Sequence, residues 1–142
     1  MNSHFLQFLA TGVLGGNLRP GAPVSAVEKL LGTAFARYTD TGSAVEIWRY
    51  GPLQITISPH TVMRYKIGIT ERDSLPRPLA AIALPSPELT PYELFEALNG
   101  AAIAWEVYPK LSFDRQLCIL VESRVQVHFD LDRRELQSFY VG

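Results

Sequence analysis

The stretch "VEIWRYGPLQITIS" (residues 45–58) and the later stretch "LCILVESRVQVHFD" (residues 117–130) have nearly the same pattern of apolar and polar residues. Each contains two runs of alternating character separated by a short turn, which is typical of an antiparallel β-hairpin. Three apolar residues of the first stretch correspond to three in the second that lie 72 positions further along: Leu53, Ile55 and Ile57 align with Val125, Val127 and Phe129.

A helix signal precedes each hairpin. "SAVEKLLG" (25–32) has Ser25 and Glu28 at the spacing of a capping box and ends in a glycine, and "TPYELFEALNG" (90–100) repeats this with Thr90 and Glu93. Short strand signals follow, "AFARY" (34–38) and "AWEVY" (104–108). The sequence therefore predicts an α+β fold of two pseudo-repeats, each a helix plus a four-stranded antiparallel meander, with the helices on one side of the sheet.

These signals divide the chain into four segments. Residues 1–17 are predicted to form an N-terminal helix and loop, because Phe5, Phe8 and Leu9 recur at helical spacing between Ser3 and Gly12. Residues 18–69 form the first repeat, 70–89 a proline-rich linker, and 90–142 the second repeat. The centre of the linker, "LAAIAL" (79–84), is too apolar to stay in water, and we expect it to pack on the body as a strand or a covering strap.

Composition excludes several classes of protein. Of the 142 residues 47% are apolar and 19% are charged, a composition too apolar for intrinsic disorder. The net charge of -1 provides no long-range electrostatic attraction to nucleic acid or to membranes. Cys118 is the only cysteine, so an internal disulfide framework is excluded. Neither a membrane-spanning run nor a secretory signal is recognisable, and we expect a cytoplasmic protein.

The residues that most often carry chemistry are not grouped in the sequence. Cys118 has no His or Asp nearby in sequence and is interpreted as a buried structural thiol. His4, His60 and His128 lack metal-ligand spacing, and Asp130 and Asp132 flank a turn, where Asp is favoured for structural reasons. We therefore expect neither catalytic residues nor a metal or cofactor.

The strand faces supply the candidate surface. If Val45, Ile47, Leu53, Ile55 and Ile57 point toward the helices, alternation places Glu46, Trp48, Tyr50, Gln54 and Thr56 on the other side, with Gln126 and His128 in the second block. The alternative is that Trp48 and Tyr50 are covered by the linker, the N-terminal segment or a second copy of the chain. The predicted partner-binding residues are Glu46, Trp48, Tyr50, Gln54, Arg64, Gln126, His128 and Tyr140.

The first repeat resembles a module shared by the β-lactamase inhibitor protein fold and the outer-membrane assembly lipoprotein BamE. The resemblance lies in a helix ending in Leu-Gly, an aromatic-x-Tyr strand and a following apolar strand, carried by Gly21, Val27, Leu31, Gly32, Trp48, Tyr50, Leu53, Ile55 and Ile57. The first repeat is also similar to short bacterial proteins that occur beside polymorphic toxins and are taken for immunity proteins. In the second block Leu120 and Glu122 stand in place of Trp48 and Tyr50.

The resemblance implies a protein that binds a protein partner through a sheet face or loops. The expected function is a non-enzymatic inhibitor, most concretely an immunity protein that covers the active site of a cognate toxin. Two alternatives stay open: a homo-oligomeric scaffold, and a small-ligand or enzyme domain with a pocket between the sheet and the linker.

Overall fold

A computed structural model of the chain describes residues 1–39, 42, 44–69 and 74–142. The helices are α1 (Ser3–Thr11), α2 (Val24–Leu31) and α3 (Pro91–Gly100). The strands are β1 (Ala36–Thr39), β2 (Glu46–Tyr50), β3 (Leu53–Ile57), β4 (Val62–Gly68), β5 (Trp105–Val107), β6 (Gln116–Val121), β7 (Gln126–Asp130) and β8 (Glu135–Val141). Of the helices that the structure describes, none has the length and apolar character needed to cross a membrane.

All eight strands belong to one antiparallel sheet in the order β1-β2-β3-β4-β8-β7-β6-β5. The predicted α+β class and antiparallel sheet are confirmed. Within each half of the chain, strands that are neighbours in sequence are neighbours in space, as short hairpin connections require. The halves join where β4 pairs with β8 in the middle of the sheet.

Two irregularities interrupt the sheet at corresponding places. The register between β3 and β4 shifts between Thr56 and Ile57, and the register between β7 and β8 shifts between His128 and Phe129. These two points lie 72 positions apart, the same spacing that aligns the two apolar patterns in the sequence. In both places the extra residue lies in the fourth strand, β4 or β8. A bulge bends the strand that carries it and increases its local twist.

The helix ends agree only in part with the predicted signals. α3 has the predicted capping box between Thr90 and Glu93, and Gly12 and Gly32 follow α1 and α2 with positive φ angles of 69° and 71°. Asn2, rather than Ser3, caps α1, and its side-chain oxygen accepts from the Phe5 amide at 2.8 Å. The capping box predicted for α2 is wrong, because the helix begins at Val24 after Pro23 and Ser25 already lies inside it.

The pairing register defines two faces of the sheet, since residues directly opposite each other on antiparallel strands point to the same side. One face is apolar: Trp48 pairs with Ile55, Ile55 with Tyr65, and Tyr65 with Val141. All four residues are buried. We call this the apolar face and the opposite side the polar face.

Side chains of the apolar face meet all three helices. Phe8 of α1 packs edge-on against Phe139, and the Tyr65 hydroxyl donates to the Gly12 carbonyl beyond the end of α1. The Tyr50 hydroxyl donates to the Gly32 carbonyl beyond α2. Phe95 of α3 stacks on Trp105, with ring centroids 4.2 Å apart and planes 2° from parallel.

The described part of the linker lies against the body of the protein, while residues 70–73 are outside the described residues. Leu75 and Leu79 are buried, and Arg77–Leu79 forms a 3-10 turn rather than a strand. The Asn2 side-chain amide donates to the Ala81 carbonyl at 3.0 Å. The apolar "LAAIAL" segment therefore packs on the core, as expected, in the form of a strap.

Candidate functional site

The polar face carries a continuous row of side chains across the middle of the sheet. Gln54 pairs with Lys66, Lys66 with Tyr140, and Tyr140 with Gln126, so the row crosses from β3 through β4 and β8 to β7. The next row includes His128, which pairs with Ser138 of β8. Directly opposed side chains stand about 5 Å apart, so these residues form one contiguous surface.

Tyr140 lies at the centre of this surface and is held from two sides. The Lys66 ammonium lies 5.4 Å from the centre of its ring, a cation–π contact, and the His128 ring meets it edge-on at 5.1 Å. The His128 Nε2 lies 3.2 Å from the Gln126 side-chain oxygen. Because each side chain restricts the next, the side chains at the centre of the polar face have little conformational entropy left to lose.

His128 is shielded although it lies on the polar face, and only 9% of it is exposed. Burial lowers the pKa of its imidazole, and the nearby Lys66 charge lowers it further. The ring is therefore neutral at neutral pH and can accept a hydrogen bond at one nitrogen while donating from the other.

Cys118 and His128 lie side by side, a proximity that the sequence did not predict. They are directly paired residues of β6 and β7, and the Cys118 sulfur is 3.7 Å from the His128 Nε2. Burial raises the pKa of the Cys118 thiol to about 11, and its side chain has no exposed surface. A reactive cysteine needs an accessible thiolate, so this pair is poorly suited to nucleophilic chemistry, and the prediction that Cys118 is buried is confirmed.

The other chemistry-bearing residues are dispersed. His4 and His60 are exposed, and they lie on α1 and in the β3–β4 turn. The Asp130 carboxylate accepts from the backbone amides of Asp132 and Arg133, the structural role that Asp has in turns. In the ranges that the structure describes, no three His, Cys, Asp or Glu residues are grouped to hold a metal ion.

The predicted orientation of Glu46, Trp48 and Tyr50 is wrong. Trp48 pairs with Ile55 and Tyr50 with Leu53, which places both rings on the apolar face, where they are 3% and 0% exposed. Glu46 lies on the same side, and its carboxylate accepts from the Trp48 indole nitrogen at 3.0 Å. The Arg37 guanidinium covers the outer side of Trp48 at 4.0 Å from the ring centre.

The turn between β2 and β3 explains this error. Gly51 and Pro52 are the only residues between the paired positions Tyr50 and Leu53, so the last residue of β2 and the first of β3 share a face. Even-numbered residues of β2 therefore lie on the same side as odd-numbered residues of β3. Ile47, which was expected to point toward the helices, pairs with Thr56 on the polar face.

The structure brings together the other five predicted residues, Gln54, Arg64, Gln126, His128 and Tyr140, on the polar face. Arg64 is exposed, while Gln54, Gln126 and Tyr140 are half-buried. Lys66 was missed in the prediction, although it follows Arg64 by two positions in "VMRYKIG" and therefore shares its face. Whether these residues bind a partner stays a prediction.

No protein family, no curated protein and no solved structure matches this chain at a significant level.

Proposed function

We propose that this chain is a non-enzymatic, cytoplasmic inhibitor that binds a protein partner through its polar face. Most concretely, it acts as an immunity protein that neutralises a cognate bacterial toxin by covering the toxin's active site. The observation that carries the proposal is the continuous row Gln54–Lys66–Tyr140–Gln126, which presents a held aromatic ring among hydrogen-bonding groups.

The helix contacts support a one-sided arrangement of the fold. The described contacts of α1, α2 and α3 with sheet side chains involve Tyr65, Phe139, Tyr50 and Trp105, which all lie on the apolar face. The part of the polar face that a partner can reach consists of the exposed Arg64 and the half-buried side chains of the row. Tyr and Arg side chains amid polar neighbours are enriched where proteins bind proteins.

The strand order supports a fold of two pseudo-repeats. The order β1-β2-β3-β4 is followed by β8-β7-β6-β5, and the bulges occur 72 positions apart. We infer that the chain duplicates one unit and joins the copies through their fourth strands. The join makes one polar face out of two halves, and a stable interface buries about 800 Å² per partner.

The Cys118–His128 pair supports a non-enzymatic role. The thiol is buried and its pKa is raised, whereas a nucleophilic cysteine has its pKa lowered by a neighbouring cation. The neutral His128 does not supply that cation. We therefore assign the pair to the packing of the sheet.

The proposal predicts that a gene beside the one for this chain encodes the toxin, and the test is to measure binding of that toxin by titration calorimetry. We expect Tyr140→Ala to weaken binding by about 2 kcal/mol or more, roughly thirtyfold, as for other central aromatic anchors. Tyr92→Ala is the matched control, because this ring on α3 is 69% exposed and lies away from the sheet. Circular dichroism confirms the fold of both variants.

Two results would contradict different parts of the proposal. If the unaltered protein does not bind the toxin, the inhibitor function is wrong. If it binds but Tyr140→Ala has the affinity of Tyr92→Ala, the partner docks elsewhere. A discrete homodimer in size-exclusion chromatography that is disrupted by Tyr140→Ala would favour the oligomeric scaffold instead.

A further inference from the structure

A cleft of about 410 Å³ opens at the corner of the sheet where β7 begins and β8 ends. Gln126 and Leu120 of the polar face line one wall, and Arg124 lies in the turn between β6 and β7. Arg19, from the loop before α2, also lines the cleft. The cleft thus lies next to the row of polar-face residues and extends it beyond the edge of the strands.

The cleft has an excess of positive charge. Arg19 and Arg124 line it directly, and no carboxylate side chain is among its described lining residues. A main-chain carboxylate at Gly142 would still leave one positive charge in excess. Within the described part of the chain, ion pairs join Arg115 to Asp132 and Arg133 to Asp130, so Arg19 and Arg124 have no carboxylate partner there. Gly142, which also lines the cleft, lies against the Cα and Cβ atoms of Arg64 on β4.

The walls of the cleft are fixed by contacts within the protein. The Ser123 hydroxyl donates to the Leu9 carbonyl at 2.6 Å, which ties the β6–β7 turn to α1. Gly12 lies against the same turn, because an added Cβ atom would stand 3.4 Å from the Ser123 carbonyl. Arg124 has a φ of 76°, which places its backbone at the αL position of a three-residue hairpin turn. Fixed walls reduce the entropy cost of binding a charged group between the two arginines.

We infer that this cleft receives an acidic side chain of the partner protein, held between the Arg19 and Arg124 guanidiniums. Guanidinium groups bind carboxylates through paired, charge-assisted hydrogen bonds, and the Ser123 and Gln126 side chains add polar groups beside them. The inference rests on the proposed function and adds to it the chemistry of the partner: an acidic protrusion at the edge of the contact surface.

An acidic protein fits the neighbouring surface better than a single-stranded nucleic acid does. Sheet faces that bind single strands stack bases on free aromatic rings. On the polar face the Tyr140 ring is already engaged by Lys66 and His128. The chain as a whole has a net charge of -1, which gives no long-range attraction to a phosphate backbone.

The test uses hexaglutamate peptide as the probe and nuclear magnetic resonance as the measurement. We expect saturable shifts of the Arg19 and Arg124 side-chain Nε–H signals at low salt, with hexaglutamine producing none. In the Arg19→Gln/Arg124→Gln variant the affinity for hexaglutamate should fall about tenfold or more, as expected for losing hydrogen bonds between charged groups. The control is Arg77→Gln/Lys110→Gln, which removes the same charge from exposed positions of two 3-10 turns.

The outcomes separate this inference from the proposed function. Shifts at Arg77 as large as those at Arg19 and Arg124, or equal affinities of the two double variants, would overturn the inference. The inference would also be overturned if a hexathymidine oligonucleotide shifted the Arg19 and Arg124 Nε–H signals with higher affinity than hexaglutamate does. If the Arg19→Gln/Arg124→Gln variant does not fold, the unaltered protein alone tests the inference: equal shifts of the Arg19 and Arg124 signals with hexaglutamate and hexaglutamine would overturn it. A toxin that binds the unaltered protein and the Arg19/Arg124 variant equally well refutes the cleft but leaves the inhibitor function standing.

Discussion

The hydroxyl of Tyr65 offers a direct test of how α1 is fastened to the sheet. It is buried and donates a hydrogen bond of 2.5 Å to the Gly12 carbonyl, 53 positions away in the chain. Burial raises the pKa of this hydroxyl well above its ordinary value, so it remains a donor throughout the accessible pH range. Tyr65→Phe removes the donor while retaining the ring that packs against Phe8.

The expected cost follows from the carbonyl that is left behind. A buried acceptor without a donor costs about 1–3 kcal/mol, whereas changing the surface away from such features costs less than about 0.5 kcal/mol. For a domain of about this size each kcal/mol lowers the melting temperature by roughly 2–4 °C. We therefore expect a loss of about 1–3 kcal/mol in the free energy of unfolding.

Urea unfolding followed by circular dichroism measures this quantity, and Tyr38→Phe is the matched control. Tyr38 is 57% exposed on the edge strand β1, so loss of its hydroxyl should change stability by less than about 0.5 kcal/mol. Equal stabilities of the Tyr65→Phe and Tyr38→Phe proteins would refute the reasoning, because they would show that the Gly12 carbonyl does not depend on Tyr65.

Four further predictions follow from particular contacts. Trp48→Ala should destabilise the protein by about 3–5 kcal/mol in urea unfolding, because the ring is 3% exposed. A variant as stable as the unaltered protein would show that the Trp48 ring is not buried. Thr90→Ala should cost about 1 kcal/mol by losing the α3 cap, whereas Ser25→Ala, within α2, should cost less than about half of that. Cys118→Ser should retain partner binding, and the native thiol should react slowly with a disulfide reagent at pH 8. The pKa of His128 is lowered in the folded protein, so its contribution to stability is complete above the unfolded value of 6.5 and is lost as pH falls through the lower folded value. His128→Gln should therefore weaken the pH dependence of urea unfolding below pH 6.5. If that dependence is unchanged, His128 is not the group that causes it.

Local signals predicted the elements of this fold well. The α3 capping box, the stop at Gly32 and the strand positions depend on residues that are close together in sequence, and the structure has them. The start of α2 was misplaced because Ser25 and Glu28 have capping-box spacing, while the chain already enters the helix after Pro23.

The candidate site depended on geometry that is not local, and there the sequence was less informative. The side to which Trp48 points is set by the number of residues in the turn before Leu53, because one residue more or fewer would exchange the faces. Cys118 and His128 are ten positions apart and become neighbours only through the register of β6 and β7. Gln54 and Tyr140 belong to one row only because β4 pairs with β8.

The pairing of β4 with β8 also determines how two chains can exchange strands. This seam consists of four residue pairs, from Tyr65 with Val141 to Gly68 with Ser138, and the chain between the two strands runs through the long linker. If the linker opens, β4 of one molecule can pair with β8 of another through the same hydrogen bonds. Such a domain-swapped dimer needs no contact that the single chain lacks, so concentration during refolding, rather than any new surface, would govern its formation.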